Sequence, residues 1–341
     1  MAYEKIVVGT DGSPTARVAE QVAVRIAGAT QGRLTVLSVQ AGEDGEPARA
    51  ALEGARENAE RHGIQPETRA LNGEPADAIV EFADREDADL IVVGDVGMGG
   101  PRRFRLGGVA DRISHAMPCD LLIVRTSRAD TTKAPPTYEN VLIATDGSAT
   151  ADHAARTGTD LAVALGAGVS LVNVGDEFMG RIILKDTAER LGDVDLPTTV
   201  VKGDPGERIA EVAGEGRYDL VVVGNKGMSG RLRFLMGVVP DRVSHLASCD
   251  VLVVNTVGRS PEGLGPGDGA IVLVNGEKIA AYRDQSGKLV ALSPKCKHLG
   301  CTVGWNDGAK TWDCPCHGSR YDARGKVIQG PAERDLDPVK V

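Results

Sequence analysis

Short apolar runs recur along the first third of the chain, at residues 5–8, 33–38, 67–71, 90–93 and 121–124. Between them lie longer stretches in which apolar residues return at helical spacing, as at 16–27 and 75–83. Continuous apolar strands separated by amphipathic helices predict a parallel sheet buried on both faces. The pattern is that of a doubly wound α/β domain.

The same pattern then begins again. Ile6-Val-Val-Gly-Thr-Asp-Gly-Ser13 recurs as Val141-Leu-Ile-Ala-Thr-Asp-Gly-Ser148, 135 residues on. Arg112-Ile-Ser-His-Ala-Met-Pro-Cys-Asp-Leu-Leu-Ile-Val124 recurs as Arg242-Val-Ser-His-Leu-Ala-Ser-Cys-Asp-Val-Leu-Val-Val254, 130 residues on. The chain therefore carries a tandem duplication, with α/β domains expected at 1–127 and 138–256. Residues 127–138, which hold Thr131-Thr-Lys-Ala-Pro-Pro-Thr137, read as the linker between them.

A second linker, 258–269, contains Pro261-Glu-Gly-Leu-Gly-Pro-Gly-Asp-Gly269. Beyond it, runs at 270–274, 278–282, 289–292 and 324–328 are short and broken by Asn-Gly, Ser-Gly and Arg-Gly turns. They predict a small antiparallel β domain over 268–341. The fold class is α/β plus all-β.

Composition narrows the picture. With 341 residues, 42% hydrophobic and 26% charged, the chain is globular and long enough for two or three domains. A formal charge of −9 and no long Lys/Arg run argue against nucleic acid or an anionic membrane as partner. The first residues enter a strand pattern directly, and no apolar run reaches the roughly 18 residues of a membrane span. A cytoplasmic protein is expected.

Of six cysteines, Cys119 and Cys249 lie singly at matching places in the two copies, whereas Cys296, Cys301, Cys314 and Cys316 crowd together. They belong to two boxes, Cys296-Lys-His298-Leu-Gly-Cys301 and Cys314-Pro-Cys316-His317-Gly-Ser319-Arg-Tyr321. Each box offers one thiolate and one imidazole, so the pair supplies two sulfurs and two nitrogens to one site. A Cys₂His₂ zinc site has overlapping spacings. Zinc, however, gives no role to Cys301 and Cys316, to the adjacent glycines, or to Ser319 and Tyr321.

From about residue 270 to 341 the sequence resembles the Rieske proteins of the cytochrome bc type and the small Rieske domains of some bacterial oxidoreductases. The resemblance implies a [2Fe–2S] cluster with Cys296 and Cys314 on one iron and His298 and His317 on the other. It further implies a Cys301–Cys316 disulfide, hydrogen bonds from Ser319 and Tyr321 to cluster and cysteine sulfur, and a covering loop at Gly330-Pro-Ala332. The outer nitrogens of the two histidines are then the exit for an electron and the place where a proton is taken up. Imidazole ligation raises such potentials into roughly −150 to +300 mV, and the two hydroxyl donors favour the upper part.

Each α/β copy has glycines after its fourth strand: Gly94-Asp-Val-Gly97, nine residues, Gly107-Gly108, and Gly224-Asn-Lys-Gly227, nine residues, Gly237-Val238. Such glycines allow backbone amides and a helix N-terminus to approach a phosphate, and they equally serve a tight strand-to-helix turn. With Asp11 and Asp146 after the first strands, the copies resemble the universal stress protein family over 3–126 and 139–255. ATP-binding members carry Ser or Thr where this chain has Gly108 and Val238. Losing that hydroxyl costs ~1 to 3 kcal/mol and leaves the backbone cradle intact, so ATP or AMP binding is retained as an expectation. The cations Arg102, Arg103, Arg105, Arg231 and Arg233 read as a solvated basic loop. Asp11 and Asp146 read otherwise as turn or cap residues.

His115 and His245 occupy equivalent positions and read as packing or surface histidines. There is no 2-His-1-carboxylate iron motif and no Gly-x-Gly-x-x-Gly after a first strand. The expectation is a redox or stress-response protein rather than a stand-alone enzyme, with no catalytic residues and with the α/β copies paired within the chain or in a homodimer. The alternative is the electron-carrying component of an oxidoreductase or oxygenase system whose catalytic chain, an unknown redox partner protein, is separate.

Overall fold

A computed structural model describes residues 3–40, 46–96, 106–126, 137–225, 237–255, 264–274, 277–306, 309–314 and 317–340. The first copy runs β1 (Lys5–Gly9), α1 (Pro14–Thr30), β2 (Arg33–Gln40), α2 (Glu46–Arg61), β3 (Glu67–Asn72), α3 (Pro75–Arg85), β4 (Leu90–Gly94), α4 (Gly108–Ala116), β5 (Asp120–Val124). The second repeats it as β6 (Asn140–Ala144), α5 (Ala149–Leu165), β7 (Gly168–Val174), α6 (Glu177–Leu191), β8 (Thr198–Val201), α7 (Pro205–Glu215), β9 (Leu220–Gly224), α8 (Val238–Leu246), β10 (Asp250–Val254).

Local signals explain most helix starts. The Ser13 and Ser148 hydroxyls cap α1 and α5 by accepting from the Ala16 and Ala151 amides, and Asp204 caps α7 through the Glu207 amide. Proline follows the cap in α1, α3 and α7, where its missing N–H costs nothing.

The strands lie in the order β3-β2-β1-β4-β5-β10-β9-β6-β7-β8. All pairings within a copy are parallel, whereas β5 and β10 run antiparallel, with Leu122 opposite Leu252. The duplication thus closes into one ten-stranded sheet rather than two. Every residue of β5 and β10 is buried, so either strand alone would leave an apolar edge open to misassociation.

Tyr138 departs from the linker expectation. Residues 127–136 lie outside the described residues, but Tyr138 is 4% exposed and donates to Asp250 Oδ2 at 2.7 Å. Tyr3 and Asp120 make the matching bond at 2.9 Å. An aromatic ring with a hydroxyl at its tip can be buried once that hydroxyl has a partner.

The C-terminal unit holds a three-stranded sheet, β11 (Gly269–Val274), β12 (Glu277–Arg283), β13 (Leu289–Leu292), and a four-stranded one, β14 (Gly304–Asn306), β15 (Thr311–Asp313), β16 (Arg320–Asp322), β17 (Val327–Gln329). All described pairings are antiparallel. Trp305 and Trp312 pack against each other with centroids 4.9 Å apart and planes tilted by 60°, and with Tyr321, Leu292, Cys296 and Cys314 they fill the core between the loops. Two strand expectations need correction. Residues 322–326 form a turn closed by the Asp322 amide on the Lys326 carbonyl, with Gly325 at φ 86°, so the last strand begins only at Val327. Gly269 belongs to β11, not to a linker: a Cβ there would lie 2.5 Å from Trp305 Cδ2.

Candidate functional site

Both cysteine boxes are loops built the same way. In the first, the Cys296 amide donates to the Cys301 carbonyl (2.8 Å) and the Gly300 amide returns to the Cys296 carbonyl (2.8 Å). In the second, the Cys314 amide donates to the Ser319 carbonyl (2.7 Å) and the Gly318 amide to the Cys314 carbonyl (3.1 Å). Gly300 and Gly318 sit at φ 78° and 74°, the left-handed turn that glycine adopts without strain. β13 and β14 flank the first loop, and β15 and β16 hold the second, where Arg320 and Asp313 pair bidentately at 2.8 and 3.0 Å.

The two loops bring the sequence-predicted residues together. Cys296 and Cys314 are each 3% exposed, while the His298 and His317 rings meet edge to face at 4.8 Å and are exposed. Tyr321 Oη accepts the Lys297 amide at 3.0 Å and lies 3.2 Å from Cys296 Sγ, a contact in which the phenol is the donor whenever the sulfur is a thiolate. Ser319, fully buried, accepts the Ala332 amide at 3.0 Å, which ties the Gly330–Pro331–Ala332 loop to the site. Burial alone would push the Cys296 thiol up, but hydrogen bonds from Tyr321, the His298 amide, Cys314 and Ser319 outweigh it and hold it below its ordinary value. Burial and the Cys296 partner push the Tyr321 phenol up to about 12. Cys301 is disulfide-bonded, and Cys316 lies outside the described residues.

Two soft thiols on a dry side and two imidazoles on a wet side are a donor set that suits an iron–sulfur cluster with mixed ligation.

In the α/β part, β1 and β4 are neighbours, yet the chain leaves β1 toward β2 and β4 toward β5. The sheet's order reverses there, and in open α/β sheets such a reversal is where a crevice lies beyond the carboxyl ends of the strands. Asp11 and Gly94 both stand at those strand ends. Asp146 and Gly224 stand at the counterpart ends of β6 and β9. Asp11 and Asp146 accept the Ser13 and Ser148 amides at 2.9 and 3.0 Å, the turn role anticipated for them.

Gly107 and Gly237 begin α4 and α8 with no side-chain cap, which leaves the first amides of both helices to other acceptors. A Cβ on Gly108 would meet nothing within 4 Å. Gly97, Gly227, Arg102, Arg103, Arg105, Arg231 and Arg233 lie outside the described residues.

One difference between the copies escaped sequence reading. Buried Asp95 accepts Thr126 N and Oγ1 at 2.9 and 2.6 Å and pairs with buried Arg125 at 3.6 Å. At the equivalent places Asn225 Nδ2 donates to Asn255 Oδ1 at 3.1 Å. An ion pair in one copy is an amide pair in the other, a concerted change visible only once both partners are known to touch. Among the described residues, no helix is long and apolar enough to cross a membrane.

Two family models match the chain. The Universal stress protein family model matches residues 2–125 and 179–255, and the Rieske [2Fe-2S] domain model matches 256–340. A Bacillus subtilis (strain 168) protein, YhfW, provisionally named a Rieske 2Fe-2S iron-sulfur protein, is 47% identical over 78 residues, 23% of this chain. The cytochrome b6-f complex iron-sulfur subunit of Synechococcus sp. (strain JA-3-3Ab) is 44% identical over 73 residues, 21% of this chain. The chain spans only 15% and 38% of the lengths of those two relatives. The fold of the larger unit is shared with a functionally unknown Pseudomonas aeruginosa PAO1 protein, PA1789 (TM-score 0.62, 20% identity, covering 74% of this chain and 93% of that one).

Proposed function

We propose, from the premise that this chain belongs to the universal stress protein family and ends in a Rieske [2Fe-2S] domain, that it is a cytoplasmic one-electron carrier on an adenine-nucleotide-responsive platform. The observation that carries the reading is the arrangement of buried thiols behind exposed imidazoles in two matched loops.

A Rieske domain implies a [2Fe–2S] cluster, which supplies a single-electron acceptor; Cys296, Cys314, His298 and His317 would hold it. The hydroxyls of Tyr321 and Ser319 donate toward sulfur and so favour the more negative, reduced form. The Trp305–Trp312 core keeps water from the cysteine side. The exposed His298 and His317 rings offer the contact face for a redox partner protein and can hold a proton on an outer nitrogen. In this reading Cys316 completes the disulfide of Cys301 and fixes one loop to the other.

The α/β unit contributes ATP or AMP binding at the crevices beyond β1/β4 and β6/β9, where uncapped helix amides face the phosphates. The test is EPR of the dithionite-reduced protein with and without ATP. A rhombic signal of mixed Cys/His ligation is expected; a silent spectrum together with zinc in elemental analysis would overturn the cluster assignment. Similarity to a subunit of the cytochrome b6-f complex favours a second reading, an electron-carrying component of a larger oxidoreductase. Partner-dependent turnover with NAD(P)H and a reductase would separate the two.

A further inference from the structure

Asp111 and His115 stand one turn apart on α4, and Asp241 and His245 one turn apart on α8. Residues four apart share a helix face. Pairing of β5 with β10 turns the two faces toward each other. His245 Nε2 lies 3.8 Å from Asp111 Oδ1, and His115 Nε2 lies 4.0 Å from Asp241 Oδ1. The contacts cross between the copies, and both exceed a hydrogen bond. Oxygens of Asp111 and Asp241 and a nitrogen of His245 all fall within 4.8 Å of one another.

The protonation pattern is set by the backbone. His115 Nδ1 bonds the Asp111 carbonyl at 2.8 Å and His245 Nδ1 bonds the Asp241 carbonyl at 2.9 Å. A carbonyl can only accept, so each Nδ1 carries the hydrogen and each neutral ring presents a lone pair at Nε2. This backbone anchoring of the far nitrogen is how metal-ligating histidines are oriented. Among the described residues, the arginines beside the two aspartates are engaged elsewhere. Arg112 is taken by Glu74 (2.9 Å) and Asp77 (2.8 Å), and Arg242 by Asp204 (2.7 Å) and Glu207 (2.5 Å). Asp111, Arg112 and His115 also line an open depression of about 380 Å³ on the first copy's side, so an aqueous ion reaches Asp111 and His115 from there.

We propose that Asp111, His115, Asp241 and His245 form a site for a divalent transition-metal cation of the zinc type, half supplied by each α/β copy. Two imidazoles and two carboxylates select such an ion over magnesium or calcium. Tetrahedral ligands at zinc distances stand ~3.4 Å apart, whereas Asp111, Asp241 and His245 stand within 4.8 Å of one another, so binding draws those three together by up to roughly an ångström, and His115, 4.0 Å from Asp241 Oδ1 but outside that group, moves further to join them. The bound ion cross-links the copies beside the β5–β10 seam.

The test titrates Co²⁺ alone into the full chain with its cluster loaded. The expected result is one equivalent bound, with visible d–d absorption and no sulfur-to-cobalt charge-transfer band. His115→Gln with His245→Gln, and separately Asp111→Asn with Asp241→Asn, should weaken binding by about tenfold or more while the circular dichroism stays unchanged. Three results overturn the proposal: no binding, equal affinity in either double variant, or a sulfur band accounting for all bound Co²⁺. Any of them reduces the four residues to a pair of crossed His–Asp contacts.

Discussion

Tyr321 Oη sits 3.2 Å from Cys296 Sγ while accepting the Lys297 amide at 3.0 Å, so a single phenol both fixes the first loop and is the donor to its sulfur whenever that sulfur is a thiolate. Replacing it by phenylalanine removes a donor that favours the reduced form. Tyr321→Phe should lower the midpoint potential; a loss of ~1 kcal/mol corresponds to about 40 mV for one electron. Protein-film voltammetry reads this directly, and an unchanged potential would show that the phenol serves the loop alone.

The seam between the copies depends on two buried carboxylates. Asp250 accepts the Arg125 amide at 2.7 Å and the Tyr138 hydroxyl at 2.7 Å, and Asp120 accepts the Asn255 amide and the Tyr3 hydroxyl, both at 2.9 Å. Asp250→Ala strands two buried donors and should cost roughly 2–4 kcal/mol, measured by urea unfolding of the full chain. Tyr138→Phe should cost less, about 1 kcal/mol, because the ring still fills its place.

Glu20 is 3% exposed, and its burial raises its pKa above the ordinary value of 4.5 despite the Thr10 hydroxyl that bonds it. In the window from about 4.5 upward the folded state holds the proton more tightly than the unfolded chain, so stability falls as pH rises. Glu20→Gln keeps the shape and removes the charge. Unfolding free energies measured across this window should vary less with pH in the variant, which should also be the more stable form at pH ~7.

Gly269 lies against the Trp305 ring, and a Cβ there would come within 2.5 Å of Cδ2. The ring is packed on Trp312 and Tyr282, at 4.9 and 5.2 Å, and has nowhere to yield. Gly269→Ala should destabilise the C-terminal unit by roughly 1–3 kcal/mol. Thermal unfolding followed by tryptophan fluorescence would detect it, since Trp305 and Trp312 are the chain's two tryptophans.

Open space around the Gly108 Cβ position allows a hydroxyl to be placed at the start of α4. A hydrogen bond to a charged phosphate is worth ~1.5–3 kcal/mol, so Gly108→Ser should tighten ATP binding about tenfold or more in calorimetry. Equal, weak affinity in both proteins would argue that these glycines serve only the turn.

The sequence alone determined whatever is local in the chain. Strand and helix periods, the serine and proline caps, the 130- and 135-residue repeats and the Cys-x-His and Cys-Pro-Cys-His boxes all depend on neighbours within a few positions. Each could therefore be read without knowing where the chain goes next. The turn at 322–326 was misread because its Arg-Gly signal adjoins an apolar pair, and Tyr138 was misread because the Pro-Pro before it marks a linker. Tertiary structure decided what lies between residues far apart in sequence: Tyr138 on Asp250, Asp95 on Arg125 where Asn225 meets Asn255, and two Asp–His pairs facing across the copies. The pairs inside each copy follow from its own parallel neighbours, β4 beside β5 and β9 beside β10, and the two Asp–His pairs from the antiparallel union of β5 and β10. Two buried apolar edges need each other, and that burial, not any motif, chose which polar side chains would meet across the copies.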